Sequence, residues 1–528
     1  MSSDSITKEV ITNSNSLQLE EKNNINDYIH ETRPWYRVPH LRTLCFHVFV
    51  ITLTSTNNGF DGSMLNGLQS LDYWQRYMGY PTGDRLGALS AAPIFGSMGV
   101  FFFAPYLCDR YGRKFVIVTG QTVALIGAIL QGVSNSYGFF FASRFIIGLG
   151  SATATVGCPT LISEIAYPKH REVCTFAYNL CWYLGALIAA IVTYFTRTIE
   201  SSYSWRIPSY LQGFFPLVQL AMLWWVPESP RYLVARGKVD RAEDILSRIH
   251  TGNSTDAKDV ELVRFEVTEI QAGLEAEKEA GANASYLDFL NKRGYRKRLF
   301  LVVFTSTMMQ LSGNGLVSYY LNKVLNSIGI TETSRQLLIN LCLMLFNLVV
   351  SVVFCSVSGL FKRRTMFISS LGGMLVCYII WTVLSAINQQ RNFEDKGLSN
   401  GVLAMIFLYY FAYDIGLNGL PYLYITEILP YSHRAKGINI FQFWMQIVLV
   451  YNSFVNPIAM DAIEWKYYIV YCCVLAVEVV TVVLFYPETS GRSLEEVAEV
   501  FGDTIEHVDN SVVTVKKTRP SVEHVETA

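Results

Sequence analysis

A chain of 528 residues in which 51% of side chains are hydrophobic, 14% aromatic and only 16% charged is too apolar for a soluble enzyme of its size. Its formal net charge of -1 lacks the basic footprint that a nucleic-acid partner requires. Its ten cysteines fall in or beside apolar stretches without metal-ligand or disulfide spacing, so neither a metal nor a cofactor is expected. The composition describes an all-α polytopic membrane protein.

Residues 1–40, rich in Ser, Asn and Glu and without the apolar core of a cleavable signal, read as a cytosolic tail. Runs long enough to cross about 30 Å of hydrocarbon at about 1.5 Å per residue then recur twelve times, near 42–63, 86–107, 115–133, 138–162, 173–195, 207–226, 299–325, 337–360, 365–387, 402–425, 437–458 and 466–486. They are numbered spans 1 to 12. The chain divides into a six-helix half over 41–226, a central loop over 227–298, a second six-helix half over 299–487 and a tail over 488–528. Arg110, Arg113, Lys114, Lys169, Arg171, the basic central loop, Lys362, Arg363, Arg364, Arg434 and Lys436 all lie in loops on one face. The excess of Lys and Arg makes that face, and with it both termini, cytosolic. The sequons at Asn253 and Asn283 fall on that side and should carry no glycan. Within the central loop Val263, Val267, Ile270 and Leu274 recur at helical spacing among charged residues, the pattern of an amphipathic helix lying against a neighbour.

The chain repeats itself. ISEIAYPKHR at 162–171 returns as ITEILPYSHR at 425–434, and PESPR at 227–231 returns as PETSGR at 487–492, which relates the halves by duplication. Glu164 with Arg171 and Glu427 with Arg434, beside Glu228 and Glu488, place matched charges at equivalent cytosolic loops. Snorkelling charges at helix ends are commonly structural, but their recurrence in both halves suggests a cytosolic gate made of opposed charges.

Polar residues interrupt the apolar runs at NNGFDG in span 1, GLGSATATVG in span 4, SGNG in span 7 and GLNGLP in span 10. These are the first helices of four three-helix units, where carriers place midplane binding sites and broken helices. In span 1, Thr54, Asn57, Asn58 and Asp61 share one helical face, which is expected to line a cavity. An acid at this depth is a functional candidate by default. Arg144, the basic residue well inside another span of the same half, is its expected partner, whether for coupling or as a structural pair.

Taken together, DRYGRK after span 2, SRFIIGLG in span 4, the two Glu-x6-Arg loops, PESPRYLVARGK and PETSGRSLEE resemble the sugar porters of the major facilitator superfamily, from about residue 40 to 500. Within that family NGFDGSMLNGLQ, QLSGNGLVSYYLN, RAKG and FVNPIAMDAIEWKYYIVY resemble the fungal lactose-permease-type group, which carries lactose, galactose and related disaccharides. The resemblance implies alternating access by a monomer in the plasma membrane. It adds Asp109 and Arg113 to the cytosolic gate, and it implies that Asp61 and Arg144 couple transport to protons, since proton-coupled members carry this pair and facilitative ones often lack the acid.

Sugar hydroxyls need hydrogen-bond partners and sugar C–H faces need aromatic rings. Span 7 offers Gln310 and Asn314, then Tyr319 and Tyr320. At positions matched to hexose carriers the chain departs from the pattern: Met309 replaces a Gln, Gly315 an Asn, Asn179 a Gln and Tyr422 a Trp. Gln446 replaces a second Trp, with Trp444 two residues earlier. These changes imply a roomier pocket. In SGLFKRR after span 8, Gly359 stands where the family has an acid and Lys362 where it has Gly, which weakens that half of the gate. A proton–sugar symporter is the leading reading, with a facilitative sugar carrier and a transporter-like sugar sensor as alternatives; the tail of about 40 residues after span 12 favours a carrier. No phosphate-binding G-x4-G-K-[ST] loop or hydrolase motif is present, and no enzyme activity is expected.

Overall fold

A computed structural model describes residues 33–490 except 101–102, 284, 358–360 and 394, together with residue 501. The N-terminal tail up to residue 32, Gly359 and most of the C-terminal tail lie outside the described residues. Among the described residues there are helices and no strands. Span 1 is Pro39–Leu68, span 2 Gly83–Val100 followed by Ala104–Tyr111, span 3 Arg113–Val133, span 4 Tyr137–Ile165, span 5 Arg171–Thr196, and span 6 Tyr203–Leu211 followed by Phe214–Met222. In the second half, span 7 is Arg293–Leu311 followed by Asn314–Asn326, span 8 Thr333–Val357, span 9 Arg363–Gln390, span 10 Lys396–Gly416 followed by Leu420–Ile428, span 11 Tyr431–Ile463 and span 12 Tyr467–Phe485.

By length and composition alone, eight helical stretches among the described residues can cross a bilayer, nine with span 2 taken whole across its 49° bend. One of these, Lys436–Phe485, holds spans 11 and 12 together. Spans 1 and 6 fall short of that test, the first because of its polar stripe and the second because it is split into two nine-residue helices.

The expected breaks in spans 1 and 4 are absent; both helices run unbroken through their glycine-rich stretches. Close packing explains those glycines. A Cβ on Gly59 would lie 1.8 Å from the Trp182 carbonyl oxygen, and one on Gly185 would lie 1.8 Å from that of Thr56, so spans 1 and 5 touch backbone to backbone. Gly148 meets Pro93 of span 2 in the same way, and Gly150 meets Ala124 of span 3. Small residues allow this approach where lipid supplies no hydrophobic drive between helices.

Spans 7 and 10 are broken as expected. At the break in span 7, Gly313 has φ +101° and a Cβ there would sit 2.2 Å from the Tyr378 hydroxyl, so only glycine fits. The carbonyls that lose their helical donors find new ones: Tyr413 donates to Met309 at 3.3 Å, Asn452 to Gln310 at 2.7 Å, Tyr409 to Ser312 at 3.2 Å and Tyr378 to Gly313 at 3.3 Å. A break inside a membrane is tolerated on that condition.

The halves meet along spans 2 and 11 and along spans 5 and 8. The linker between them forms helices Pro230–Ala235, Val239–Leu246, Ala257–Asn283 and Asp288–Asn291. Val263 and Val267 pack on Leu246, while Ile270 and Leu274 pack on Leu233, Val234 and Ala242. At the end of the bundle away from the linker, polar side chains join the halves. Asn66 donates to Asn340, Gln69 to the Tyr319 carbonyl, Ser70 to Gln336, Asn322 to Ser70, and the Gly83 N–H to Asp461.

Candidate functional site

Span 1 carries Asp61 about two turns before its far end, and span 4 carries Arg144 two turns after its start. Antiparallel packing brings them level. The guanidinium grips the carboxylate with both terminal nitrogens, Nη1 to Oδ1 at 3.0 Å and Nη2 to Oδ2 at 3.3 Å. The side chains are 3% and 15% exposed for Arg144 and Asp61, so the pair is largely shielded while the carboxylate keeps an opening. A third residue completes it: Gln212, 1% exposed, donates Nε2 to Oδ1 at 2.8 Å from the break in span 6. Sequence reasoning missed Gln212, although a glutamine followed by glycine in the apolar run LQGFF is a legible signal.

The polar stripe of span 1 turns toward spans 4 and 6 more than toward open space. Thr54 donates to Gln219, Asn57 to Ser151 and Asn58 to Thr155; Thr54 and Asn57 are fully buried. Only Asn58 and Asp61 retain partial exposure.

Of the residues matched to sugar contacts, Asn314 opens the second helix of span 7, where its Nδ2 donates to the Tyr413 hydroxyl at 3.2 Å and its Oδ1 accepts from Ser318. Gln310 lies just before the break and is buried. Asn452 lies beside Gly315, where a Cβ would come within 2.9 Å of its Nδ2; the Asn of span 11 thus fills the space beside the glycine. Trp444 donates Nε1 to Thr307 at 2.9 Å, and Gln446 is half-buried two residues on. Asn179 and Tyr422 are exposed, the latter stacked edge-on against Phe441. Tyr319 is partly buried within electrostatic reach of Asp61 and Arg144. Tyr320 differs from the sequence expectation. It is fully buried, its hydroxyl donates to the Ser453 carbonyl, and it belongs to a buried apolar cluster made largely of first-half residues. Closure of the far end places it in the contact between halves and not on a cavity wall.

Two further acids lie inside spans. Asp414 of span 10 accepts the Tyr183 hydroxyl of span 5 at 2.9 Å, a hydrogen bond between halves. Glu478 of span 12 is 2% exposed, among apolar neighbours. An acid inside YYFAYDIG or VLAVEVV was visible in the sequence, but neither belongs to a repeated motif.

At the linker end the charges pair within each half. Arg113 binds Glu164 through Nε and Nη2, both at 3.0 Å, with Asp109 at 3.7 Å. The Glu228 carboxylate accepts the backbone N–H groups of Arg113 and Lys114 at 3.2 Å, capping span 3; burial pushes this carboxyl up, against the pull of those donors. The second half repeats the design, with Arg363 Nε on Glu427 at 3.4 Å and Glu488 capping span 9 through the N–H groups of Arg363 and Arg364. Arg171 is exposed at the start of span 5 and Arg434 is half-buried at the start of span 11. The expected charge-to-charge bridge between halves is thus replaced, for Glu164 and Glu427, by a partner on the neighbouring helix of the same half.

A bundle of two duplicated six-helix halves, with a carboxylate–guanidinium pair inside one half and repeated acid–arginine clusters at the linker end, defines a major facilitator superfamily carrier. Comparison with known proteins narrows the class: residues 47–501 match the Sugar (and other) transporter family, to which this chain belongs. It is 30% identical over 428 residues to the MFS-type transporter oryC of Aspergillus oryzae, covering 79% of this chain and 78% of that protein. It is 28% identical over 408 residues to the low-affinity glucose transporter HXT3 of Saccharomyces cerevisiae, covering 76% and 70%. The fold is shared with the xylose transporter XylE from E. coli in its inward open conformation, at a TM-score of 0.72, 21% identity and coverage of 87% and 99%. The protein is therefore a multi-pass membrane transporter of the sugar family and not an enzyme.

Proposed function

We propose that the chain is a proton-coupled symporter that brings a sugar of the lactose, galactose or related disaccharide class into the cell by alternating access, acting as a monomer in the plasma membrane with both termini in the cytosol. The observation that carries this reading is the shielded Asp61–Arg144–Gln212 cluster. A carboxylate held by a guanidinium at this depth can exchange its ion pair for a proton without leaving an uncompensated negative charge. The positive-inside pattern puts the linker end in the cytosol, which makes the polar network of Asn66, Gln69, Ser70, Asn322, Gln336 and Asn340 an extracellular closure. An inward-facing carrier with its ion pair formed has released its proton. A protein of the same fold is described as a proton:xylose symporter, which fits this cycle.

In this reading Asn179, Gln310, Asn314, Tyr319, Tyr422, Trp444 and Gln446 contact sugar, and Tyr320 moves with the extracellular closure. Asp109, Arg113, Glu164, Arg171, Glu228, Glu427, Arg434 and Glu488 set the cytosolic gate. The deciding experiment expresses the chain in a transport-null fungal host and follows labelled lactose, cellobiose, galactose and glucose together with the pH of the medium. Accumulation above the external concentration with alkalinisation supports symport. Sugar equilibration without proton entry replaces it with the facilitative reading.

A further inference from the structure

Ile249 and Leu262 of the linker pack into the core of the first half, and beside them a histidine makes a polar tie to it. His250 lies in the turn Ser247–Thr251 and is 3% exposed. Its Nδ1 is 2.8 Å from Glu266 Oε2 on linker helix Ala257–Asn283, and its Nε2 is 3.1 Å from the carbonyl oxygen of Ile165. Ile165 ends span 4, and its carbonyl is one of the acceptors that a helix C-terminus leaves without an intrahelical donor.

Hydrogen counting shows what this contact requires. A carbonyl only accepts, so Nε2 must carry a hydrogen and donate. A neutral imidazole then presents a bare lone pair at Nδ1, and an ionised carboxylate also only accepts. The 2.8 Å contact between Nδ1 and Oε2 therefore holds one additional proton, on the ring or on the carboxyl. Without it two lone pairs face each other in a buried site. The linker's other histidine contact is built differently. His433 Nε2 lies 2.9 Å from Asp288 Oδ2, and Nδ1 lies 3.2 Å from the Tyr295 hydroxyl. A tyrosine can donate, so a neutral His433 satisfies both neighbours.

We propose that the His250–Glu266 contact is a proton-dependent clamp: at acidic to neutral cytosolic pH it holds the linker helix on the end of span 4, and at alkaline pH it opens while the His433 anchor keeps the linker on the second half. Protons reach it through a cavity of about 350 Å³ that His250 lines together with Arg33, His40, Tyr167, Asp256 and Asp259. The Tyr167 ring stands edge-on to the imidazole with centroids 5.5 Å apart. Arg248 lies on the same turn. The clamp goes beyond the transport reading and rests on it only for the cytosolic placement of the linker; its chemistry stands if the carrier proves facilitative.

The test is hydrogen–deuterium exchange on the purified full chain in lipid nanodiscs from pH 5.5 to 8.5, corrected for the intrinsic pH dependence of exchange. One linked proton predicts that protection of residues 257–274 falls about tenfold per pH unit above the clamp's midpoint, while that of 286–292 holds. Glu266→Gln keeps an acceptor and gains an N–H that can donate to Nδ1, so its linker stays protected at every pH. His250→Ala lowers protection of 257–274 at every pH and removes its slope. Protection in the wild-type protein that does not vary with pH overturns the proposal, and so does a Glu266→Gln chain that keeps the wild-type slope. Should His250→Ala fail to fold, the wild-type and Glu266→Gln profiles decide alone.

Discussion

Replacing Asp61 by Asn removes the charge and keeps the shape. In the wild-type structure Arg144, 3% exposed, has two carboxylate contacts at 3.0 and 3.3 Å, and Gln212 donates to the same carboxylate at 2.8 Å. An Asn offers one acceptor oxygen where two stood and turns an NH2 toward one donor. Breaking a buried pair by removing one partner costs about 3–5 kcal/mol, and an isosteric amide recovers part of that. A measurable fall in thermal stability with an intact fold is expected. The functional consequence is larger. One proton entering down about 100 mV releases about 2.3 kcal/mol, and tenfold accumulation needs about 1.4 kcal/mol, so one coupled proton supports roughly fifty-fold accumulation before any pH gradient is added. Asp61→Asn is expected to reduce that ratio to unity while exchange of labelled for unlabelled sugar continues. The assay is steady-state accumulation in energised cells or proteoliposomes, with medium pH recorded alongside. If the variant still concentrates sugar, Asp61 is not the coupling group.

Gln212→Ala removes a hydrogen bond to a charged group worth about 1.5–3 kcal/mol; fewer protons per sugar are expected, and an unchanged ratio from simultaneous proton and sugar fluxes would place Gln212 outside the coupling cluster. Gly59→Ala puts a Cβ 1.8 Å from a backbone oxygen whereas Gly99→Ala meets nothing within 4 Å, so the first should lower the melting temperature in detergent by overpacking of about 1–3 kcal/mol and the second should not. Gln310→Ala should raise the apparent KM for sugar by about the 1–2 kcal/mol of a lost buried hydrogen bond; full affinity for every transported sugar would remove span 7 from the binding surface. The hydrogen bond from His433 holds the Asp288 carboxyl down to about 2. A depressed carboxylate stabilises above its ordinary range near 4 and loses that contribution only as pH falls through about 2, so exchange protection of 286–292 should persist at pH 5 and a His433→Ala chain should lose it there.

The fold was legible because spans of this length have few alternatives: a run of some twenty apolar residues bounded by charge can be little else, and duplicated motifs tied the halves together. Helix breaks were legible only in part. Asn and Gly mark the break in span 7, where Gly313 needs a positive φ, but the same residue types in spans 1 and 4 serve backbone contact with spans 5, 2 and 3, and a single sequence does not separate the two uses. Asp61 and Arg144 were legible as isolated charges in apolar runs. Gln212 gave a fainter signal, because an uncharged amide stands out less from its surroundings than a charge does. Tyr320 misled because its neighbours in the closed far end come from the other half, about 250 residues away in the chain, a contact that no local pattern encodes.

The distribution of bond types bears on how such a molecule moves. Within each half the ties are charged and recur by symmetry: Arg113 to Glu164 and Glu228 to the start of span 3 in the first, Arg363 to Glu427 and Glu488 to the start of span 9 in the second. Hydrogen bonds to charged groups contribute about 1.5–3 kcal/mol each and neutral ones about 0.5–1.5 kcal/mol. The side-chain ties between halves at the far end are mostly neutral, made by Asn, Gln and Ser. Strong bonds therefore make each half a rigid body and weak ones fasten the surface that must open. A bridge of charges across the linker end would have the opposite effect, making the moving interface the strongest joint. Tyr183 on Asp414 is an exception, a bond from one half to an acid of the other. It lies between spans 5 and 10, well away from the far-end network, so it can act as a pivot between halves that rock while the outer contacts separate.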